Sequence, residues 1–111
     1  MSIADTPAPP YYAVIFAAQR NDGDDGYAET SARMESLAAS MPGFLGLQSA
    51  RGEGGFGVTV SYWESEEAIR NWKRNTEHLH AQRRGAKDWY SHYEVRVAKV
   101  ERAYGKTQET T

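Results

Sequence analysis

The run Phe44-Leu45-Gly46-Leu47-Gln48-Ser49-Ala50-Arg51 and the run Phe56 to Trp63 (FGVTVSYW) are separated only by Gly52-Glu53-Gly54-Gly55. Two strand-like runs this close, joined by a glycine-rich stretch, read as a hairpin. In the second run Phe56, Val58, Val60 and Tyr62 fall on one face, and Gly57, Thr59, Ser61 and Trp63 on the other. The small residues of that second face predict a close approach by something bulky. A hairpin alone cannot bury its apolar surface, so its flanks decide the fold.

On the N-terminal side, Tyr11 to Gln19 (YYAVIFAAQ) is nearly continuous in apolar residues, as in a strand covered on both faces. The turn cluster Asn21-Asp22-Gly23-Asp24-Asp25-Gly26 then offers an Asp cap to a helix from Tyr27 to Ser40. Tyr27, Thr30, Met34, Leu37, Ala38 and Met41 give that helix a buried stripe, and Pro42-Gly43 stops it. On the C-terminal side, Ser65 caps a second helix with Glu66 and Glu67 in its first turn. Ala68, Ile69, Trp72 and Lys73 form its inner edge. Thr76 is placed to cap a short helix, Glu77 to Arg84, ended by Gly85. A long last strand is expected from about Trp89 to Tyr104, with Tyr93, Val95 and Val97 on one side. The order strand, helix, strand, strand, helix, strand predicts an α+β fold, a ferredoxin-like split βαβ sheet with helices on one face.

A chain of 111 residues has room for one domain, placed at 11–104. Residues 1–10, with three prolines, read as a disordered lead, and 105–111 as a flexible tail. Thirteen Lys+Arg against 15 Asp+Glu leave a net charge of −2, with no basic excess to hold a nucleic acid. The absence of cysteine excludes disulfides, thiolate metal sites and thiol catalysis. No apolar run is long enough to span a membrane and no signal peptide is visible, so the expected location is the cytoplasm.

Helices on one face leave the other face of the sheet bare. That face is expected to carry apolar side chains from the long last strand and from Tyr11 to Ala18. The last strand also exceeds what its neighbours can pair. A second copy of the chain is the simplest cover, which predicts a homodimer, a dimeric α/β barrel.

The stretch Val58-Thr59-Val60-Ser61-Tyr62-Trp63-Glu64-Ser65-Glu66-Glu67-Ala68-Ile69-Arg70-Asn71-Trp72-Lys73 resembles the core of the antibiotic-biosynthesis-monooxygenase (ABM) family. Met41-Pro42-Gly43-Phe44-Leu45-Gly46 resembles that family's helix-to-strand corner, and Glu77-His78-Leu79 fits the position after its second helix. The resemblance covers roughly Tyr11 to Tyr104 and implies the same fold. For activity it implies cofactor-independent oxygenation of a small aromatic substrate. One alternative is a non-enzymatic dimer that binds a small hydrophobic metabolite. Another is a haem-binding or haem-degrading monooxygenase. Haem-degrading members carry an amide side chain on the first strand, an inward Trp, and an iron-binding His ten residues beyond it. Trp72 matches that Trp, but Gln82 stands at the ligand position and the first strand ends Ala18-Gln19-Arg20. Gln82 is a poor ligand for haem iron.

Five residues stand out as candidates. Trp72 is either core or the aromatic wall of a pocket between helix and sheet. His78 is the candidate general base, since a neutral imidazole is available near pH 7. Arg20 either pairs with Asp22 or Asp24 or polarises a substrate oxygen at the pocket mouth. Tyr62 and Trp63 either pack at the sheet edge or stack on the substrate. No metal site is expected: His78 and His80 are two residues apart and face different directions on a helix, and nothing joins His92. Gly52 to Gly57 precedes a strand rather than a helix, so it is a turn and not a phosphate loop. No cofactor is expected.

Overall fold

A computed structural model describes residues 2–22 and 26–106. Asp24 and Asp25 of the turn cluster expected to offer an Asp cap, and most of the expected C-terminal tail, lie outside the described residues; Gly26 holds the N-cap position of the first helix. The elements follow in the order β1 (Tyr11–Arg20), α1 (Tyr27–Ala39), β2 (Phe44–Arg51), β3 (Phe56–Trp63), α2 (Glu66–Arg74), α3 (Thr76–Arg84) and β4 (Tyr90–Val100). A 3₁₀ turn, Glu53–Gly55, joins β2 to β3, and a π-helical turn, Gly85–Trp89, joins α3 to β4. The strands form one sheet in the order β2-β3-β1-β4, with every neighbour antiparallel. This is the ferredoxin-like arrangement expected from the element order.

The ladders decide which side chains share a face. Trp63 lies opposite both Tyr12 and Phe44, Ser61 opposite Val14, and Gly57 opposite Ala18. Trp63 is fully buried against Ala38 of α1 and Ala68 of α2, with Val14, Met41, Phe44, Ile69 and Trp72 around it. The small-residue face of β3 is therefore the helix-bearing side. The alanines let both helices approach the indole closely. Ser65 caps α2 as expected, its hydroxyl accepting the Ala68 N–H at 3.1 Å.

The second half departs from expectation in detail. Asn75, not Thr76, caps α3, its side-chain oxygen accepting the His78 N–H at 3.1 Å. Gly85 does not end the helical path; it opens the π turn, where a Cβ would lie 2.8 Å from the Tyr90 ring. The last strand ends at Val100, matched by β1 from Tyr11↔Val100 to Arg20↔Tyr90, so the expected overhang is not strand. Val95 and Val97 lie opposite Phe16 and Val14 on the helix-bearing side, and are 44% and 51% exposed because α1 and α2 sit over β2 and β3.

The open side is apolar on β1 and β3 and charged on β4. There His92 and Arg96 each approach Glu94 at 3.5 Å. Residues 2–10 carry no helix or strand, yet two bonds hold them to this side. The Ala4 N–H donates to Gln48 Oε1 and the Thr6 hydroxyl to the Tyr11 phenol oxygen, both at 2.9 Å.

Gly43 makes the corner between α1 and β2 at φ +83°, where a Cβ would lie 2.6 Å from the Ala68 Cβ. Gly26 has a similar φ of +81° with nothing within 4 Å. Both positions strain an L-residue, but only Gly43 adds a clash. Gly43→Ala should lower the unfolding free energy in urea by about 2–4 kcal/mol, and Gly26→Ala by only about 1 kcal/mol. Equal losses would show that the corner relaxes around the added methyl.

Candidate functional site

The antiparallel order brings the C-terminal ends of β1 and β2 beside the N-terminal ends of β3 and β4. Arg20 closes β1, Arg51 closes β2, and Tyr90 opens β4. Tyr27 is the first residue of α1 and lies over this end of the sheet. The register places Arg51 opposite Gly57, and Gly57 opposite Ala18. Because Gly57 has no side chain, the Arg51 stem can pass across it: a Cβ there would come within 3.2 Å of Arg51 Cγ. The result is a small cleft of about 20 Å³ whose walls include Phe16, Arg20, Tyr27, Arg51, Gly57 and Tyr90.

Both arginines converge on one ring. The Arg20 and Arg51 guanidinium carbons stand 3.6 Å and 4.6 Å from the Tyr27 ring centroid. Such contacts are cation–π interactions. Arg51 also donates a hydrogen bond to the Tyr27 hydroxyl. Tyr27 meets Trp89 and Tyr90 edge-on at 5.6 Å and 5.8 Å, and Phe16 meets Tyr90 edge-on at 5.4 Å. Burial, and next the hydrogen bond with Tyr27, push the Tyr90 phenol well above its ordinary range, outweighing the two nearby arginines. It is a neutral phenol at physiological pH. The cleft combines flat aromatic walls, cationic donors and a phenol, a set suited to a planar ring bearing an electron-rich oxygen.

The five sequence candidates fall in three places. Arg20 is in the cleft. Trp63, Trp72 and His78 form a separate stack in the α2–α3 region: Trp63 and Trp72 are 6.0 Å apart at 24°, Trp72 and His78 4.0 Å apart at 10°. The Trp63 N–H donates to Ser61 Oγ at 2.9 Å, so its polar atom is satisfied within the chain. Tyr62 points to the open side and meets Tyr11 edge-on at 5.7 Å. Burial, and next the Tyr11 phenol, raise its pKa.

His78 has a definite structural bond. Its Nδ1 lies 3.0 Å from the Trp72 carbonyl oxygen, which also accepts the Asn75 N–H at 3.1 Å. Read with Nδ1–H as donor, the ring caps a carbonyl at the end of α2 and leaves Nε2 as acceptor. Burial lowers its pKa, partly offset by that hydrogen bond. No group of three or more His, Asp or Glu suited to a metal ion occurs among the described residues.

Sequence reasoning did not single out Tyr27, Arg51 or Tyr90 as site residues. Tyr27 was read as the first member of the α1 stripe and Arg51 as a strand end. The usable signal was the hairpin register, which sets an arginine across from a glycine.

Comparison with known proteins can now be set beside this geometry. The family model described as "Antibiotic biosynthesis monooxygenase" matches residues 10–84. The chain belongs to that family. A Bacillus subtilis (strain 168) protein, "Uncharacterized protein YqjZ", is 54% identical over 100 residues, covering 90% of this chain and 88% of its own. SnoaB, a cofactor-independent oxygenase from Streptomyces nogalater, superposes with a TM-score of 0.72 at 17% identity, covering 88% of this chain and all of its own. A Shewanella oneidensis protein superposes with a TM-score of 0.75 at 9% identity, over 89% of this chain and all of its own. At these identities the two superpositions show the ABM fold and no more. No helix among the described residues is long and apolar enough to cross a membrane.

The His78 geometry fixes the sign of a pH effect. A histidine whose folded pKa is lowered binds its proton first in the unfolded chain. Its contribution is intact above the unfolded value of 6.5 and is lost as pH falls from there through the folded value. Urea unfolding at about pH 7.5 and about pH 5 should show a larger stability loss for the native chain than for His78→Gln. Parallel profiles would mean a solvated imidazole.

Proposed function

We propose that this ABM-family protein oxygenates a small electron-rich aromatic substrate without a cofactor, in the cleft between the β1 end and the start of α1. The carrying observation is the convergence of Phe16, Tyr27 and Tyr90 with the Arg20 guanidinium on one site. The family membership and the fold shared with a cofactor-independent oxygenase support it. The substrate ring lies against the aromatic walls, and its phenol or enol ionises. Arg20 stabilises the oxyanion, as fixed positive charge does wherever negative charge develops. The substrate itself supplies the electrons to dioxygen: one oxygen atom enters a ring carbon, and the other leaves as water with the two hydrogens the substrate loses. Trp72 and His78 hold the α2–α3 corner in place.

A second reading, a binder of a hydrophobic metabolite, is favoured by one feature. No carboxylate or imidazole is among the described residues lining the cleft, so the chain supplies no evident base there. Oxygen uptake with a panel of hydroquinones and naphthols separates the two readings. The oxygenase reading expects enzyme-dependent uptake that Arg20→Gln reduces by about 10²-fold in kcat. A ligand that binds but is recovered unchanged under air, with no uptake from any member, establishes the binder instead.

We also propose that the open side of the sheet is covered by a second copy of the chain. Phe56 is 53% exposed there, beside a shallow groove of about 400 Å³ lined by Ala17, Gln19, Phe56, His92 and Glu94. An apolar centre with a charged rim suits a self-complementary contact. Sedimentation equilibrium should give a dimer for the native chain and a shift toward monomer for Phe56→Glu. A native monomer at tens of micromolar would refute the pairing.

A further inference from the structure

The cleft carries more specific information in Arg51. We infer that Arg51 makes this a site for aromatic carboxylates, with the Tyr27 hydroxyl holding the guanidinium as a resting partner that the carboxylate replaces. The inference rests on the cleft being the binding site, as proposed above, and specifies the ligand class it takes.

The Arg51 guanidinium donates to the Tyr27 phenol oxygen and stands over the same ring. Among the described residues it pairs with no carboxylate; the ion pairs found there join Arg33 to Glu77, Arg84 to Asp88, and His92 and Arg96 to Glu94. A planar guanidinium offers parallel N–H donors that match a carboxylate bidentately, and a charged acceptor binds about twice as strongly as a neutral one. The bond to Tyr27 is therefore the weaker of the two available to Arg51. An arriving carboxylate wins the exchange.

The cleft gives the exchange room. Arg51 is exposed at the last position of β2, with the Gly52 turn beyond it. Its stem crosses Gly57, which presents no side chain to block the swing. At about 20 Å³ the closed cleft holds a water but not a benzene ring, so ligand entry requires this movement. Once Arg51 has moved, the part of the Tyr27 ring it covered is freed as a platform while Arg20 stays over the ring, with Phe16 and Tyr90 as walls. Arg20 over that ring adds a second positive charge to the cleft. The Tyr90 phenol, held neutral, adds no opposing negative charge. The aromatic walls select a ring, and the guanidiniums select its acid.

Benzoate and benzamide test this, because they share shape and differ in charge. Titration of the full chain, followed by amide shifts in ¹H–¹⁵N spectra, gives both affinities and shows that each variant is folded. Benzoate should bind about tenfold or more tighter than benzamide, the factor expected of one charge-assisted hydrogen-bond pair. The shifts should centre on Tyr27, Arg51 and Gly57. Arg51→Gln should cut the benzoate preference several-fold, to what Arg20 alone supplies. Arg51→Lys, which keeps the charge but loses the fork, should leave an intermediate preference. Tyr27→Phe, which removes the resting partner and keeps the platform, should strengthen benzoate binding. Equal affinities in the native chain, a preference that Arg51→Gln leaves undiminished, or no binding of either compound would overturn the assignment. Benzoate consumes no oxygen, so binding here and uptake in the oxygenase assay can succeed or fail independently.

Discussion

The fold depends on the burial of Trp63. It is the last residue of β3, lies opposite both Tyr12 and Phe44, and has no exposed surface. Burying an indole of this size contributes on the order of 4–6 kcal/mol by area. That burial requires small neighbours on both helices, which is why Ala38 and Ala68 sit where they do. It also requires a sharp corner at Gly43, whose carbonyl accepts the Glu64 N–H at 2.8 Å and ties the start of β2 to the exit of β3. With Ala38 fixed on Trp63, α1 becomes a lever. Tyr27 lies eleven residues earlier on the same helix, about 17 Å along its axis, and is carried to the opposite end of the sheet. The core and the cleft are two ends of one rigid element.

Much of this was legible in the sequence. Period-two alternation in β3 placed Trp63 and Gly57 on one face, and the stripe from Tyr27 to Met41 fixed the buried side of α1. The Ser65 cap and the Gly52–Gly55 turn were readable because their chemistry is local. What escaped depends on register. Arg20, Arg51, Tyr27 and Tyr90 are scattered from residue 20 to residue 90; the ladders of β1 and β3 bring the two arginines and Tyr90 together, and α1 carries Tyr27 over them. The choice of Asn75 over Thr76 as the α3 cap turned on a single residue, which propensity alone does not resolve. The π turn at Gly85 has no sequence signature; it exists because Tyr90 packs where a Cβ would otherwise sit. Val95 and Val97 look like core by type, yet β4 is an edge strand and the helices leave these two side chains half-exposed.

The stretch that carries the resemblance and the side chains that wall the cleft are largely different, although the family match over residues 10–84 includes Arg20, Tyr27 and Arg51. The stretch from Val58 to Trp72 that carries the resemblance supplies Trp63, Ala68 and Trp72, and these stack, cap and fill. The matched region ends at Arg84, before Tyr90, the residue that closes the cleft beneath Tyr27. A sequence can keep the motif, and with it the fold, while the strand ends change. The packing core tolerates little substitution because a helix lies on each side of one indole. The cleft is built from strand-terminal side chains, and each can be exchanged without disturbing the ladder behind it. Family membership shows the scaffold, whereas the proposed ligand chemistry depends on what stands at positions 20, 27, 51 and 90. In this chain those positions hold two guanidiniums and two phenols, and the proposed preference of the cleft rests on that combination rather than on the shared motif.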